Sequence, residues 1–324
     1  MKEKCIRKYS NERTSLIFFA IIQCIAKEMT QLGIIIILAS GLFFTLSSFF
    51  GKLVTTTTDM NSIVTSFFRF FIGAILISIY MKYKGATFKA NKPKPVIIRA
   101  VLNAFGIILF TISINYTTIT NTNMLNLTYP VFVLILAPFV TGERIRPSSF
   151  VYLIVIMFGV YLVSQPSFDH INTGDLIAFS SAGITGLGTL YLTEARKHDT
   201  GDTIILYIMY IGLIINTPLA FNELMNFDNA ALPYILASAL LGILGQVFLT
   251  WGYKYVDSAT GSLVSTTRIL MAALIGVLFL GEPFTDNIKL GIIIIFGAVA
   301  GLSGYFQRLF NKVRSSGIGH WGGE

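Results

Sequence analysis

Long apolar runs alternate with short polar breaks along almost the whole chain. Ten such runs occur, at residues 33–54, 62–81, 96–115, 122–141, 149–164, 174–194, 203–221, 232–252, 261–280 and 288–307. Each run is longer than the roughly 9–11 residues of a membrane β-strand and lacks period-two alternation. Because a helix satisfies its backbone hydrogen bonds within one segment, even in hydrocarbon, the pattern predicts an all-α polytopic membrane protein with ten transmembrane helices.

The composition excludes a soluble globule. Of 324 residues, 54% are hydrophobic and 12% are charged, against roughly 25% charged residues in an ordinary soluble domain. The Lys and Arg residues behind the net charge of +8 lie mainly between the apolar runs and form no basic stripe. We therefore expect a lipid bilayer and no nucleic acid as the partner. Cys5 and Cys24 precede the first run and the three histidines are scattered. We therefore expect no disulfide framework, metal or cofactor.

The charges between the runs predict the orientation. Nineteen Lys and Arg residues lie in the N-terminal segment, in every second connection and in the C-terminal tail. The alternate connections contain none; they are residues 55–61, 116–121, 165–173, 222–231 and 281–287. Since Lys and Arg are retained on the cytoplasmic side, both termini are predicted to be cytoplasmic in a cell (plasma or inner) membrane. The alternation also supports an even number of spans.

Two interpretations of the short apolar run in the N-terminal segment remain open. Residues 1–32 are predicted to be a cytoplasmic extension, and within them Leu16 to Ala26 form an apolar run too short to span a bilayer. That run is either an interfacial helix or the result of a start codon assigned too early, with Met29 as the true start. A cleaved signal peptide is disfavoured because residues 25–28 provide no small-residue cleavage site. Residues 308–324 are predicted to be a cytoplasmic tail.

An internal repeat appears when the sequence is shifted by 139 residues. The matched pairs are Gly73 with Gly212, Gly106 with Gly245, Tyr116 with Tyr255, and Gly142-Glu143 with Gly281-Glu282. The two units, 33–164 and 174–307, hold five spans each. Because five is odd, the second unit must enter the membrane from the opposite side. The predicted architecture is an inverted repeat, in which one site can face either side of the membrane.

Several short motifs carry a resemblance to a known family. They are residues 68–73 (FRFFIG) in the second span, residues 129–132 (YPVF) and 141–143 (TGE) in the fourth, and residues 280–282 (LGE) in the ninth. Together they make residues 33–306 similar to EamA-type transporters of the drug/metabolite transporter superfamily. The resemblance implies ten helices in two five-helix repeats and the transport of small metabolites. The family often has a proline in the ninth span at the counterpart of Pro130, where this chain has Ile269.

Arg268 is the most informative polar residue inside a predicted span. It stands seven residues into the ninth span, about 10 Å deep at the helical rise. Inserting an arginine near a helix centre costs roughly 2.5–3.5 kcal/mol, so the residue requires a partner. Gly261, Ser265 and Ala272 share its predicted helix face, as in a cavity wall. Arg268 is therefore either a substrate contact or a structural anchor to a carbonyl, an acid or the lipid headgroups.

The repeat supplies further candidate substrate-binding residues. Tyr129 is the counterpart of Arg268, and Asn126 is the counterpart of Ser265. Inverted symmetry brings both faces toward the midplane, where transporters of this architecture hold substrate. The alternative for Asn126 is a hydrogen bond to a neighbouring helix. Lesser candidates are Asn103 and Gln246, which could equally join helices, and Trp251, which could anchor the membrane interface.

A second set of motif residues is predicted to be structural. Arg69 lies among phenylalanines and can extend its guanidinium group outward. Glu143 and Glu282 close the fourth and ninth spans at opposite surfaces, where a carboxylate can accept backbone or arginine hydrogen bonds. Pro130, Gly142 and Gly281 complete the motifs.

These features favour a secondary transporter of a small organic metabolite, possibly an amino acid or organic acid, that works by alternating access through a central cavity. The alternatives are an intramembrane enzyme and a channel or receptor-like protein. An enzyme is disfavoured because the central part of every span lacks Asp, Glu, His and Cys, the groups used in acid–base and nucleophilic catalysis. A channel is disfavoured because the inverted repeat favours alternating access. An oligomer is possible but not indicated.

Overall fold

The computed structural model describes residues 14–58, 60–61, 63–114, 116–117, 119–166, 172–279 and 284–302, which form helices joined by short turns. The helices are α1 (Thr14–Thr57), α2 (Ile63–Tyr83), α3 (Pro93–Ile114), α4 (Ile119–Asn126), α5 (Tyr129–Val140), α6 (Pro147–Ser164), α7 (Thr173–Arg196), α8 (Gly201–Met225), α9 (Leu232–Gly252), α10 (Ser258–Ser265), α11 (Arg268–Phe279) and α12 (Asp286–Leu302). Nine stretches of the described chain are long and apolar enough to cross a membrane, and α12 lies in the tenth predicted span. The prediction of an all-α polytopic membrane protein is confirmed.

Two helix starts differ from the sequence prediction. Residues 92–95 were expected in a loop, but α3 begins at Pro93. Proline is tolerated there because the N–H groups of a first helical turn have no partner within the helix. At the N-terminus, α1 runs without a break from Thr14, so the apolar run at 16–26 continues into the first span. Residues 1–13 and 303–324 lie outside the described part of the chain.

The fourth and ninth spans are each broken into two helices at repeat-related positions. The sequence predicted continuous helices at 122–141 and 261–280, and that prediction is wrong. Leu127 and Thr128 form a turn between α4 and α5, and Thr266 and Thr267 form the equivalent turn between α10 and α11. Pro130 occupies the first turn of α5. The ninth span breaks without a proline.

Threonine hydroxyl bonds accompany the break in the ninth span. The Thr266 hydroxyl donates to the carbonyl oxygen of Leu263 (2.6 Å), and the Thr267 hydroxyl donates to that of Val264 (2.8 Å). The backbone N–H of Ile269 donates to the backbone carbonyl oxygen of Thr266 at 3.1 Å. This three-residue spacing tightens the chain into a turn. Such local bonds compete with the ordinary helical ladder. The span therefore breaks here with Ile269 at the position where the family often has a proline.

The packing of the helices follows a pseudo-two-fold axis that relates α1–α6 to α7–α12. Helix α1 packs along α9, and its counterpart α7 packs along α3. Helix α2 packs against its own counterpart α8, and α6 against its own counterpart α12. Since α1–α6 make an odd number of membrane crossings, the second set runs through the membrane in the opposite direction. The structure therefore has the predicted inverted repeat.

The seam between α2 and α8 shows this symmetry at the level of single residues. A Cβ atom at Gly73 would lie 2.5 Å from the Met209 sulfur, and one at Gly212 would lie 2.4 Å from the Phe70 ring. Gly212 is the repeat counterpart of Gly73, and Met209 is that of Phe70. The backbones approach closely because each glycine makes room for the bulky residue opposite it, as small residues do between membrane helices.

We expect the two glycines to differ in their tolerance of alanine. Gly212→Ala should lower the free energy of unfolding by about 1–3 kcal/mol, the usual cost of overpacking a core, because the buried Phe70 ring is rigid. Gly73→Ala should cost less, since the flexible Met209 side chain can move away. Unfolding in detergent, followed for both purified variants, measures the difference. Equal losses, or a larger loss for Gly73→Ala, would contradict this account of the seam.

Candidate functional site

The two helix breaks bring Arg268 and Tyr129 to the middle of the membrane. Arg268 is the first residue of α11 and stands ten residues beyond Ser258, the start of α10. At 1.5 Å per residue this is a depth of about 15 Å, half of a hydrocarbon core of about 30 Å. The sequence estimate of about 10 Å was too shallow because the ninth span begins earlier than residue 261. Tyr129, the first residue of α5, lies equally deep from the opposite end.

Asn126 joins Arg268 to a third helix. The Arg268 Nη2 atom donates to Asn126 Oδ1 at 3.0 Å, and Asn126 Nδ2 donates to the Ser181 hydroxyl of α7 at 3.0 Å. Asn126 is 5% exposed, so its bond to Ser181 is buried, while its bond to the half-buried Arg268 is partly buried. The interhelical bond considered for Asn126 is therefore present together with the contact to Arg268. The amide serves as a neutral partner for the guanidinium group.

Tyr129 and Ser265 extend this cluster toward α10. The Tyr129 hydroxyl donates to the carbonyl oxygen of Ser262 at 3.1 Å. The Ser265 hydroxyl donates to the carbonyl oxygen of Gly261 at 2.8 Å, and the side chains of Tyr129 and Tyr253, at the end of α9, lie close to it. The structure thus brings together four predicted residues, Arg268, Tyr129, Asn126 and Ser265, from both halves of the repeat. We call these four the central cluster.

A buried arginine that sequence reasoning missed lies next to the central cluster. Arg99 of α3 is 4% exposed and lies near the side chains of Tyr129 and Tyr253. Its Nε atom has no hydrogen-bond acceptor among the described residues. Arg99 stands three residues after the predicted start of the third span, where an arginine is expected to reach the membrane surface. Its position was therefore uninformative without the tertiary structure.

The three lesser candidates occupy different environments. Asn103 is half-buried in α3, one helical turn beyond Arg99. Gln246 is buried in α9, where its side-chain amide donates to the Thr250 hydroxyl of the same helix at 3.2 Å. Trp251 is 41% exposed and stacks with Phe248, the ring centroids being 6.3 Å apart. An exposed indole near a helix end is typical of a membrane-interface anchor.

Glu143 connects the fourth span to the ninth at one end of the bundle. Its carboxylate accepts a hydrogen bond from the Ser258 backbone N–H at 3.1 Å and another from the Ser258 hydroxyl. Ser258 is the first residue of α10, so the carboxylate meets the positive end of a helix dipole. Gly142, just before Glu143, has φ +69°, which favours glycine. Gly281 and Glu282, the repeat counterparts, lie outside the described residues.

Arg69 of α2 is packed by its neighbours, as the sequence suggested. Its guanidinium carbon lies 5.1 Å from the centre of the Phe70 ring, a cation–π distance. Its aliphatic stem lies against Gly242 of α9, where a Cβ atom would come within 2.6 Å of Arg69 Cδ. The side chain contributes to the packing of α2 on α9.

The bundle end that carries Lys84, Lys92, Lys197 and Lys254 is called the basic end below. There, Lys84 forms an ion pair with Asp202 at 2.9 Å. The hydrogen bond to Asp202, with a second to Tyr80, raises the pKa of Lys84 above its ordinary value. The Asp199 carboxylate accepts the backbone N–H groups of Asn91 (2.6 Å) and Lys92 (3.1 Å). These contacts join the loop before α3 to the loop before α8, and so link the two repeats.

Comparison with known proteins places this architecture in one family. The sequence profile of the EamA-like transporter family matches the chain twice, at residues 31–165 and 172–304. A pseudopaline exporter of Pseudomonas aeruginosa is 24% identical over 84% of this chain and 96% of its own. An S-adenosylmethionine uptake transporter of Rickettsia bellii is 25% identical over 74% of this chain and 83% of its own. A riboflavin transporter of Rhizobium johnstonii is 24% identical over 82% of this chain and 89% of its own.

The fold is also found in a solved structure. A crystal structure with 14% sequence identity superimposes with a TM-score of 0.69 and covers 86% of this chain and 99% of that one. The named relatives are small-molecule transporters, not enzymes. With the family profile matching both halves, the chain belongs to the EamA-like transporter family.

Proposed function

We propose that the protein is a secondary transporter of a small anionic organic solute, with an amino acid or organic acid as the favoured class. The observation that carries the proposal is Arg268, a half-buried cation at mid-membrane whose hydrogen-bond partner is the neutral amide of Asn126. A guanidinium group keeps its charge at physiological pH and offers a planar fork of donors that suits a carboxylate. Since the central part of every span lacks acids, the solute would supply the counter-ion during transport.

The conformation supports alternating access. At the basic end, α5 packs against α10, and this contact includes the bonds from Tyr129 to Ser262 and from Ser258 to Glu143. The symmetry counterparts α11 and α4 meet through the Arg268–Asn126 hydrogen bond, but over their described residues they pack less extensively than α5 and α10 do. In an inverted repeat, loss of the contact between α5 and α10 opens one side, and formation of the equivalent contact between α11 and α4 closes the other. We therefore infer a state that is closed at the basic end and more open toward the opposite end.

Transport into proteoliposomes tests the proposed function. The purified protein is reconstituted and offered a mixture of cellular metabolites, and the vesicle contents are identified by mass spectrometry. We expect accumulation or exchange of one or more anionic metabolites that empty vesicles exclude. Selective transport of only cationic or uncharged solutes would overturn the proposal of an anionic substrate while leaving the family assignment intact.

We further propose that the basic end faces the cytoplasm, as the loop charges predict. Single cysteines at Thr57 and Asp169, placed in a variant whose Cys5 and Cys24 are replaced by serine, should react with a membrane-impermeant maleimide added outside intact cells. A cysteine at Lys197 serves as the matched internal position and should react only after the cells are permeabilised. Labelling of the positions at 57 and 169 from the cytoplasmic side alone would reverse the orientation.

We expect the two helix-end glutamates to affect the rate of transport and not its coupling. Replacing Glu143 and Glu282 together with glutamine removes the charge that caps α10 and the charge of its repeat counterpart while preserving size. The closed contacts should weaken, because a charged acceptor binds more strongly than a neutral one, and uptake should become slower. Initial rates at several pH values, measured in a double variant of normal thermal stability, check this. A complete loss of proton-coupled uptake would assign the glutamates to proton transfer.

A further inference from the structure

We propose that Arg99 and Tyr253 form a second anion-binding subsite beside the central cluster, so that the solute carries two anionic groups. One group would be bound at Arg268 and the other at Arg99. This inference rests on the proposed function, because it assumes that Arg268 binds an anionic group. It adds the substrate class, which is a short diacid or an amino acid with an acidic side chain.

Burial without a counter-ion is the first observation. Arg99 is 4% exposed, and its Nε atom has no acceptor among the described residues. A buried charge without full hydrogen bonding is unfavourable. Arginine residues that perform a purely structural role are normally paired with a carboxylate or with several carbonyl groups. An unsatisfied guanidinium donor inside a transporter therefore points to a ligand that is bound in another state.

The position of Arg99 relative to Arg268 is the second observation. Arg99 stands six residues into α3 from the basic end, and Arg268 stands ten residues beyond the start of α10 at that same end. At the helical rise their backbones differ in depth by about 6 Å. Both guanidinium groups lie near the Tyr129 side chain. A molecule with two acidic groups separated by a few carbons can reach both.

The walls of the subsite are shaped around these side chains. A Cβ atom at Gly188 of α7 would lie 2.8 Å from Arg99 Nη1. A Cβ atom at Gly261 of α10 would lie 2.6 Å from the Tyr253 ring. Each glycine thus leaves room for the neighbouring polar side chain. The Tyr253 hydroxyl adds a neutral donor near the Arg99 guanidinium, which suits a second carboxylate.

Binding of matched acids to the purified protein tests the subsite. The probes are succinate, glutarate, aspartate and glutamate, each compared by calorimetry with the monocarboxylate that has the same carbon chain. We expect at least one diacid to bind about tenfold or more tightly than its monocarboxylate, as expected for an added close charge pair. Arg99→Gln should remove this preference and keep the monocarboxylate affinity. Arg268→Gln should weaken both.

Two further variants separate binding from folding. In Gly188→Ala, the added methyl group should displace the Arg99 Nη1 atom without removing the Arg99 charge. The diacid preference should therefore fall, while thermal stability remains close to that of the wild type. Arg69→Gln removes another arginine from the membrane interior and should leave the preference unchanged. If Arg99→Gln does not fold, Arg99→Lys replaces it, and the preference should then be reduced because the planar fork is lost.

The outcomes distinguish the subsite from the proposed function. Unchanged diacid preference in Arg99→Gln, with binding lost in Arg268→Gln, would overturn the second subsite and leave the proposed function standing. Equal affinity of every diacid and its monocarboxylate would also overturn the second subsite and leave the proposed function standing. A panel in which no acid binds, or binding that neither arginine affects, would overturn both proposals.

Discussion

Replacing Arg268 with glutamine is expected to weaken the binding of an anionic solute by about 2–5 kcal/mol, the usual loss when one partner of a buried charge pair is removed. Glutamine is shorter than arginine but keeps a polar hydrogen-bonding amide and a similar aliphatic stem, so the packing of α11 should survive. Arg268→Lys should lose only part of the affinity, because the ammonium group keeps the charge but not the planar fork. Titration of the purified variants with the solute identified in the transport screen measures both effects.

Arg69→Gln is the matched control for Arg268. Both arginines lie inside membrane-spanning helices, but Arg69 contacts Phe70 and Gly242 outside the central cluster. Its replacement should leave solute affinity unchanged in the folded fraction. Near wild-type affinity in Arg268→Gln would show that Arg268 is a structural anchor to Asn126. Arg268 would then no longer indicate an anionic solute.

The hydrophobic pattern predicted which segments are helical but not where two of them break. The fourth and ninth spans read as continuous apolar runs because Leu127, Thr128, Thr266 and Thr267 are compatible with a helix in sequence. At both turns, threonine hydroxyls bond to carbonyls three residues earlier. Such bonds compete with the helical ladder by small energies, which a hydrophobicity pattern does not register.

The repeat was more informative about the central cluster than any single residue. Pairing Tyr129 with Arg268, and Asn126 with Ser265, required only the 139-residue shift and an odd number of spans per unit. Inverted symmetry then placed both faces near the midplane, where the structure has them. Arg99 has no such signal, because its counterpart at 238 is a serine. Its burial depends on Gly188 and on two tyrosines from other spans, which only the tertiary structure brings together.

The role of Asn126 yields the second large prediction, since this residue determines whether Arg268 has a permanent counter-ion. Asn126→Asp changes the shape little but places a carboxylate at the atom that now accepts the Arg268 hydrogen bond. The protein should remain folded, with a melting temperature near that of the wild type, because the desolvation of the carboxylate and its attraction to the guanidinium largely offset each other. Affinity for an anionic solute should fall by about 2–5 kcal/mol, as it does for Arg268→Gln.

Asn126→Leu is the matched comparison and should show the reverse pattern. Leucine removes the hydrogen bonds to Arg268 and Ser181, so the free energy of unfolding should drop by about 1–3 kcal/mol. The Arg268 charge remains without a permanent counter-ion, and the folded fraction should still bind the anion. Thermal unfolding and solute titration of both variants give the two readouts. If Asn126→Asp binds the anionic solute as tightly as the wild type, the solute does not use Arg268 as its counter-ion, and the interaction of Arg268 with Asn126 serves to hold α4 against α11.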